Sequence, residues 1–260
     1  MAIDVTIENR IGRIALARPE VRNALNDEVM RKLAEALDSF EANDQVRVVV
    51  ITGIGKTFSA GADLAFMQRI ASAGAEANKA DALELGKLFH RVATFAKPVV
   101  ARVNGPAIGG GVGLVAACDI VVAADTAFFA FSEVRLGLVP AVISPFCIRR
   151  LGAARARRLF LTGERFSAAV ALEYGLADRI VANESLDAAV DAVCDDLVRG
   201  APNALAEAKR LIDDVSTLPR ESVLSYTAEC IARLRSGDEA KEGMQAFLEK
   251  RAPSWAPDDS

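Results

Sequence analysis

Phe58-Ser59-Ala60-Gly61-Ala62-Asp63-Leu64 and Asn104-Gly105-Pro106-Ala107-Ile108-Gly109-Gly110-Gly111 decide how this chain is read. Each run of small residues stands where an apolar strand gives way to a helix. The strand before the first run, 46–51, is nearly all β-branched, and 98–103 precedes the second. Such strands suit a parallel sheet buried on both faces. At a strand-to-helix junction the leading amides have no intrahelical partner, and small residues leave the backbone open to a ligand. Two such junctions brought together hold one oxygen between two amide donors, the arrangement that stabilises a developing oxyanion.

Outward from these runs, the first half alternates strand and helix. Residues 5–7 and 11–16 read as a hairpin with Asn9 and Gly12 near its turn. Asn26 caps a helix in which Val29, Leu33, Leu37 and Phe40 recur at helical spacing. A helix starts over 64–70, a loose stretch covers 71–75, and a long helix runs over 76–96. A short helix follows the glycine run as far as Cys118, then strands at 119–124 and 127–131. From Ser144 the pattern is helical with few strands: 145–151, 153–162, 168–174, 186–199, 202–215, 221–235 and 238–250. Pro202 suits a first helical turn, and 252–260 reads as a frayed tail. The spacing predicts an α/β fold with parallel crossovers over 1–195, and a helical cap or oligomerisation region over 196–260.

Composition narrows the function classes. The chain has 260 residues, of which 52% are hydrophobic, enough for one large core plus an appendage. A net charge of -4 argues against a nucleic-acid partner, which calls for a clustered basic excess. Arg149, Arg150, Arg155, Arg157 and Arg158 read as a solvated helix face. No run approaches the roughly 20 apolar residues of a membrane helix, and Ile3, Val5 and Ile7 alternate like a strand rather than a signal peptide. Cys118, Cys147, Cys194 and Cys230 form no C-x-x-C pair, which points to small core residues in a reducing cytoplasm, without zinc or disulfides. The single histidine, His90, excludes a multi-histidine metal site and lies in a helical pattern.

Three familiar motifs fail on spacing. Gly53-Ile54-Gly55-Lys56-Thr57 ends like a phosphate-binding loop, but Val50 stands where its first glycine belongs. A dinucleotide fingerprint from Gly109 needs glycine where Leu114 stands, and Asp119 and Asp125 come too early to hold a ribose. Ser59 and Ser132 lack the G-x-S-x-G elbow of a nucleophile. What survives is Glu133, at the end of the apolar strand 127–131 and before the turn Leu136-Gly137-Leu138-Val139-Pro140. A carboxyl among Phe128, Phe129, Val134 and Leu136 is partly desolvated, which raises its pKa toward the range useful for proton transfer.

With these residues in hand, the chain resembles the enoyl-CoA hydratase/isomerase, or crotonase, family along nearly its whole length. The ordered matches are Arg22-Asn23-Ala24-Leu25, the two small-residue runs, Cys118-Asp119-Ile120, Ser132-Glu133, Leu136-Gly137-Leu138-Val139-Pro140, Leu161-Thr162-Gly163, and the ending from Glu242 to Arg251. The resemblance implies a crotonase-like spiral of strand–strand–helix units. It implies an oxyanion hole made by the backbone N–H groups of Ala60 and Gly110, with Glu133 as catalytic acid/base. It also implies an acyl-CoA thioester held by Arg22, Ala24, Leu25, Ala60, Gly61, Ala62, Asp63, Leu64, Gly109, Gly110 and Ala141. Phe247 and Lys250 approach the CoA, often from a neighbouring subunit of a homotrimer or dimer of trimers. Coenzyme A then enters with the substrate, and no separate cofactor or metal is expected.

One departure matters. Two-glutamate hydratases carry a carboxylate two residues after the triple glycine, where this chain has Gly113. Glu133 must then serve both proton transfers, or water must relay one. The expected activity is a lyase adding water to an α,β-unsaturated acyl-CoA. The segment from Ser132 to Pro145 resembles hydratases of branched, carboxylated substrates from leucine or terpenoid breakdown, such as methylglutaconyl-CoA hydratase. Such a substrate needs a cation for its distal carboxylate, and Arg135, Arg69 and Arg91 are the candidates. A single-glutamate enoyl-CoA isomerase, a glutaconyl-type decarboxylase and a non-catalytic acyl-CoA-binding scaffold are the alternatives.

Overall fold

A computed structural model describes residues 2–256; the side chains of Leu64, Ile70 and Ala71 lie outside that description. The elements in chain order are β1 (Ile3–Glu8), β2 (Ile11–Leu16), α1 (Asp27–Glu41), β3 (Val48–Gly53), α2 (Leu64–Ser72), α3 (Ala75–Ala93), β4 (Val99–Val103), β5 (Ala107–Ile108), α4 (Gly110–Ala117), β6 (Ile120–Ala124) and β7 (Phe128–Ala130). They continue with α5 (Ser144–Thr162), β8 (Arg165–Ser167), α6 (Ala168–Tyr174), β9 (Arg179–Val181), α7 (Leu186–Arg199), α8 (Pro202–Thr217), α9 (Arg220–Ser236) and α10 (Asp238–Glu249).

The main sheet has the order β1-β2-β3-β4-β6-β9. It is parallel throughout except for the edge hairpin β1–β2. The β-branched run in β3 is explained by two cores. Val49 and Ile51 face the larger cluster with Phe40, Phe89 and Phe129. Val48 and Val50 face the other side, where Val100 and Val122 meet Leu186, Val190 and Cys194 of α7. Side chains of neighbouring residues point to opposite faces, so a strand buried on both sides has no polar position to spare. A second, three-stranded sheet, β5-β7-β8, carries the glycine run into contact with the strand before Glu133.

The structure departs from the sequence expectation in three short strands, at the domain boundary and at the tail. Strands β8 and β9 interrupt the stretch read as helical, and two-residue β5 sits inside the glycine run. The helices expected at 145–151 and 153–162 are both present, meeting at a kink at Gly152, whose φ of 73° lies in the left-handed region. The boundary placed at 195 falls inside α7, which belongs to the core; the helical region starts at α8, after Gly200 and Ala201. The tail expected to fray docks through Trp255, whose carbonyl accepts from Arg10 at 2.7 Å and Arg47 at 3.2 Å; residues 257–260 lie outside the described residues.

Helices α8–α10 bury little. Lys209 of α8 anchors them to the core by an ion pair with Asp119 at 2.6 Å, and Glu239 of α10 accepts the amides of Asn203 and Ala204 at the start of α8.

Candidate active site

The two small-residue runs are zipped together by backbone hydrogen bonds. Phe58 and Ser59 amides donate to the Pro106 carbonyl at 3.1 and 3.2 Å, and the Ile108 amide returns to Ser59 at 2.9 Å. On the other side, 22–25 runs parallel to 60–63, with Leu25 opposite Ala62. A β-carbon on Gly61, which has φ +87°, would sit 2.7 Å from the Ile108 carbonyl oxygen and 3.3 Å from the Gly110 nitrogen. Only glycine allows the two backbones to come this close.

Accounting for each amide in turn corrects one expectation. The Ala60 N–H is not free: it donates to the Arg22 carbonyl at 2.9 Å. The Gly61 N–H donates to Ser59 Oγ at 3.3 Å, and the Asp63 N–H to the Leu25 carbonyl at 2.9 Å. Ala62 is left, and its amide has no protein acceptor among the described residues. Gly110 opens α4, and its amide likewise has no acceptor, as a first helical residue requires. Ala62 and Gly110 line the same two cavities.

Glu133 reaches those cavities from a single turn of 3-10 helix, Glu133–Leu136, closed by Gly137 in the left-handed conformation. The Gly109 amide donates to Ala130 at 2.9 Å, tying the glycine run to the end of β7. A β-carbon on Gly109, at φ +53°, would stand 3.1 Å from Glu133 Oε1. Glu133 Oε2 is buried and has no hydrogen-bond partner among the described residues. Burial pushes the carboxyl above its ordinary pKa, and only its own backbone amide pulls the other way. Such a group ionises reluctantly and is placed to exchange protons with whatever enters.

A sequence model described as enoyl-CoA hydratase/isomerase matches residues 6–258. The chain belongs to the enoyl-CoA hydratase/isomerase family. A Thermus thermophilus protein provisionally named an enoyl-CoA hydratase is 41% identical over 248 residues, covering 95% of this chain and 98% of that one. The crystal structure of an enoyl-CoA hydratase from Shewanella pealeana superposes with a TM-score of 0.95 at 38% identity, over 98% of this chain and 96% of that chain. A trans-2-decenoyl-[acyl-carrier-protein] isomerase of Streptococcus mutans is 31% identical over 251 residues, 96% of this chain and 95% of the relative.

Within this crotonase-type fold, the other expected residues divide. Leu25 and Ala141 line the smaller cavity, of about 170 Å³. Ala60, Gly61, Ala62, Gly109 and Gly110 line the larger, of about 530 Å³. Arg22 is exposed in a left-handed conformation, φ 55°, and Ala24 is buried beside it. Asp63 pairs with Arg18 at 2.9 Å and accepts the Ala65 amide. Burial raises its pKa, but the Ala65 amide and the Arg18 guanidinium outweigh this and hold the carboxyl below the usual range. Leu64 opens α2, and its side chain lies outside the described residues. Phe247 and Lys250 sit at the end of α10, lining neither cavity, with Phe247 83% exposed.

The three cations expected for a carboxylated substrate stand away from both cavities. Arg69 is paired with Asp27, and Arg91 with Glu41 and Asp38. Arg135 is exposed, and none of the three lines either cavity. Sequence reasoning gives Asn23 and Ser59 no positioning role, and the structure does. Buried Asn23 donates to the carbonyls of Ile54 and Thr57 at 2.9 and 2.7 Å, and Ser59 Oγ donates to the Asn23 carbonyl at 2.9 Å. Both hold the loop that presents Ala62. The available signal was two polar residues inside otherwise apolar motifs.

Proposed function

We propose that this chain adds water across the double bond of an α,β-unsaturated acyl-CoA thioester through an enolate. The observation that carries this reading is the pair of unpartnered amides, Ala62 and Gly110, bordering the same cavities as the unpartnered Glu133 Oε2. The thioester oxygen takes the two amides as donors. Glu133 removes a proton from water as the water oxygen bonds to the β-carbon, and the π electrons move onto the thioester as an enolate. Protonated Glu133 then returns its proton to the α-carbon, so H and OH are both added and the carboxylate is restored. Each oxyanion donor contributes about 10²–10³ in rate, and the general acid/base about 10²–10⁴.

The CoA portion runs along 60–64 and 22–25. Phe247 and Lys250 contribute from a neighbouring copy in a homotrimer or dimer of trimers. Ile212, Leu224, Phe247 and Leu248, all at least 67% exposed on α8–α10, support self-association of that region. Four free, buried thiols suit a reducing cytoplasm.

The test is loss of enoyl absorbance with crotonyl-CoA, alongside Glu133→Gln, which should keep CoA-thioester binding and lose turnover. A second reading rests on Gly113: a site with one carboxylate suffices to move a proton between the α- and γ-carbons of one enolate. Inert crotonyl-CoA with conversion of a 3-enoyl-CoA would establish that isomerase reading and overturn the hydratase.

A further inference from the structure

We infer that Ile143 closes the acyl end of the site and that the acyl group taken is apolar and uncharged, a carboxylated acyl group being rejected. The inference rests on the hydratase reading for where the thioester carbonyl lies, and names the substrate class of that site.

Size comes first. Gly113 lines neither cavity, because Ile143 lies over it: a β-carbon on Gly113 would fall 2.1 Å from Ile143 Cγ2, 2.8 Å from its Cβ and 3.4 Å from Phe89 Cε2. Ile143 itself is 3% exposed, sits just before α5, and forms part of the smaller cavity's wall with Leu25, Met30, Phe66, Leu85 and Val142. The side chain absent at 113 is thus replaced in space by a β-branched side chain from thirty positions later. A larger residue at 113 has no room, and a smaller residue at 143 lengthens the cavity toward Phe89.

Charge comes second. Among the described residues Glu133 is the only ionisable side chain lining either cavity. Its Oε2 already lacks a donor. A second carboxylate brought in on the acyl chain would share an apolar space with Glu133 and find no cation of this chain among the described residues that line it. Like charges held together in this way raise both pKa values and weaken binding.

The experiment measures dissociation constants of butyryl-, octanoyl- and glutaryl-CoA, saturated analogues that need no turnover, for the parent enzyme and Ile143→Ala, together with kcat/KM on crotonyl-, 2-octenoyl- and glutaconyl-CoA. The parent should bind butyryl-CoA at least about 100-fold more tightly than glutaryl-CoA. Ile143→Ala should shift the octanoyl/butyryl preference by about tenfold or more toward octanoyl, a change worth a few buried methylenes. Glutaryl-CoA binding equal to butyryl-CoA, or an octanoyl/butyryl ratio changed less than twofold, would overturn it. Ile143→Val gives a smaller shift in the same direction if Ile143→Ala does not fold. Binding preferences as expected with no turnover of any enoyl thioester would uphold this inference and sink the hydratase reading alone.

Discussion

The two glycine-rich junctions deliver one amide each, by different routes. At 109–111 the free donor is the first residue of α4, and helix geometry alone leaves it unpartnered. At 60–62 no helix has begun, since α2 starts at Leu64. There a segment thirty-odd residues upstream decides: Arg22 captures the amide of Ala60, Leu25 captures that of Asp63, and Ala62 is what remains. A donor at a helix start is local and robust. A donor in a loop depends on every contact that keeps its neighbours occupied.

That difference is open to direct attack. The largest effect belongs to the group both junctions serve: Glu133→Gln should lower kcat about 10²–10⁴-fold with thioester binding retained. On the proposed mechanism, with the carboxylate as base, the parent's kcat/KM should rise with pH through an ionisation above the ordinary glutamic value, because burial raises the pKa of Glu133. The same burial makes the folded state favour the protonated form. That contribution is intact below the unfolded pKa and is lost as pH rises through the folded one, so Glu133→Gln should melt no lower than the parent at pH 7. Next, Gly109→Ala strains the rigid junction, forcing a β-carbon to φ +53° and 3.1 Å from Glu133 Oε1; a drop in kcat of about 10²-fold or more with a small change in KM is expected.

Asn23→Ala attacks the dependent junction. It leaves the Ile54 and Thr57 carbonyls without their donor, which costs about 1–3 kcal/mol and lowers Tm by about 2–4 °C for each of those. Turnover should fall less than with Gly109→Ala, since Glu133 is untouched. The smallest effect is at Asp63. Its carboxyl pKa is held low in the folded state, so its contribution to stability is present above the unfolded value and disappears as pH falls through the folded one. Asp63→Asn should therefore destabilise at pH 7 and converge with the parent in acid, as thermal melts across pH would record.

Much of this is legible in the sequence. The β-branched run of β3 announced a strand buried on both faces, Asn26 capped α1 through the amide of Val29 as its position suggested, and Glu133 stood out as a carboxyl between an apolar strand and a glycine turn. What was hidden involves partners far apart in sequence. Strands β8 and β9 have three residues each and gain their hydrogen bonds only at the sheets' edges. The occupation of Ala60 by Arg22, and of the space over Gly113 by Ile143, has no local signature, because periodicity records which face a residue takes and not which residue meets it.

The most direct measurement replaces one backbone N–H with an ester oxygen, at residue 62 in one protein and at residue 60 in another. With Ala62 as the oxyanion donor, the ester at 62 should cut kcat about 10²–10³-fold at nearly unchanged Tm. The ester at 60 should lower stability by about 0.5–1.5 kcal/mol and leave kcat within a few-fold. Loss of turnover at 60 with full activity at 62 would contradict the assignment and return the oxyanion hole to Ala60.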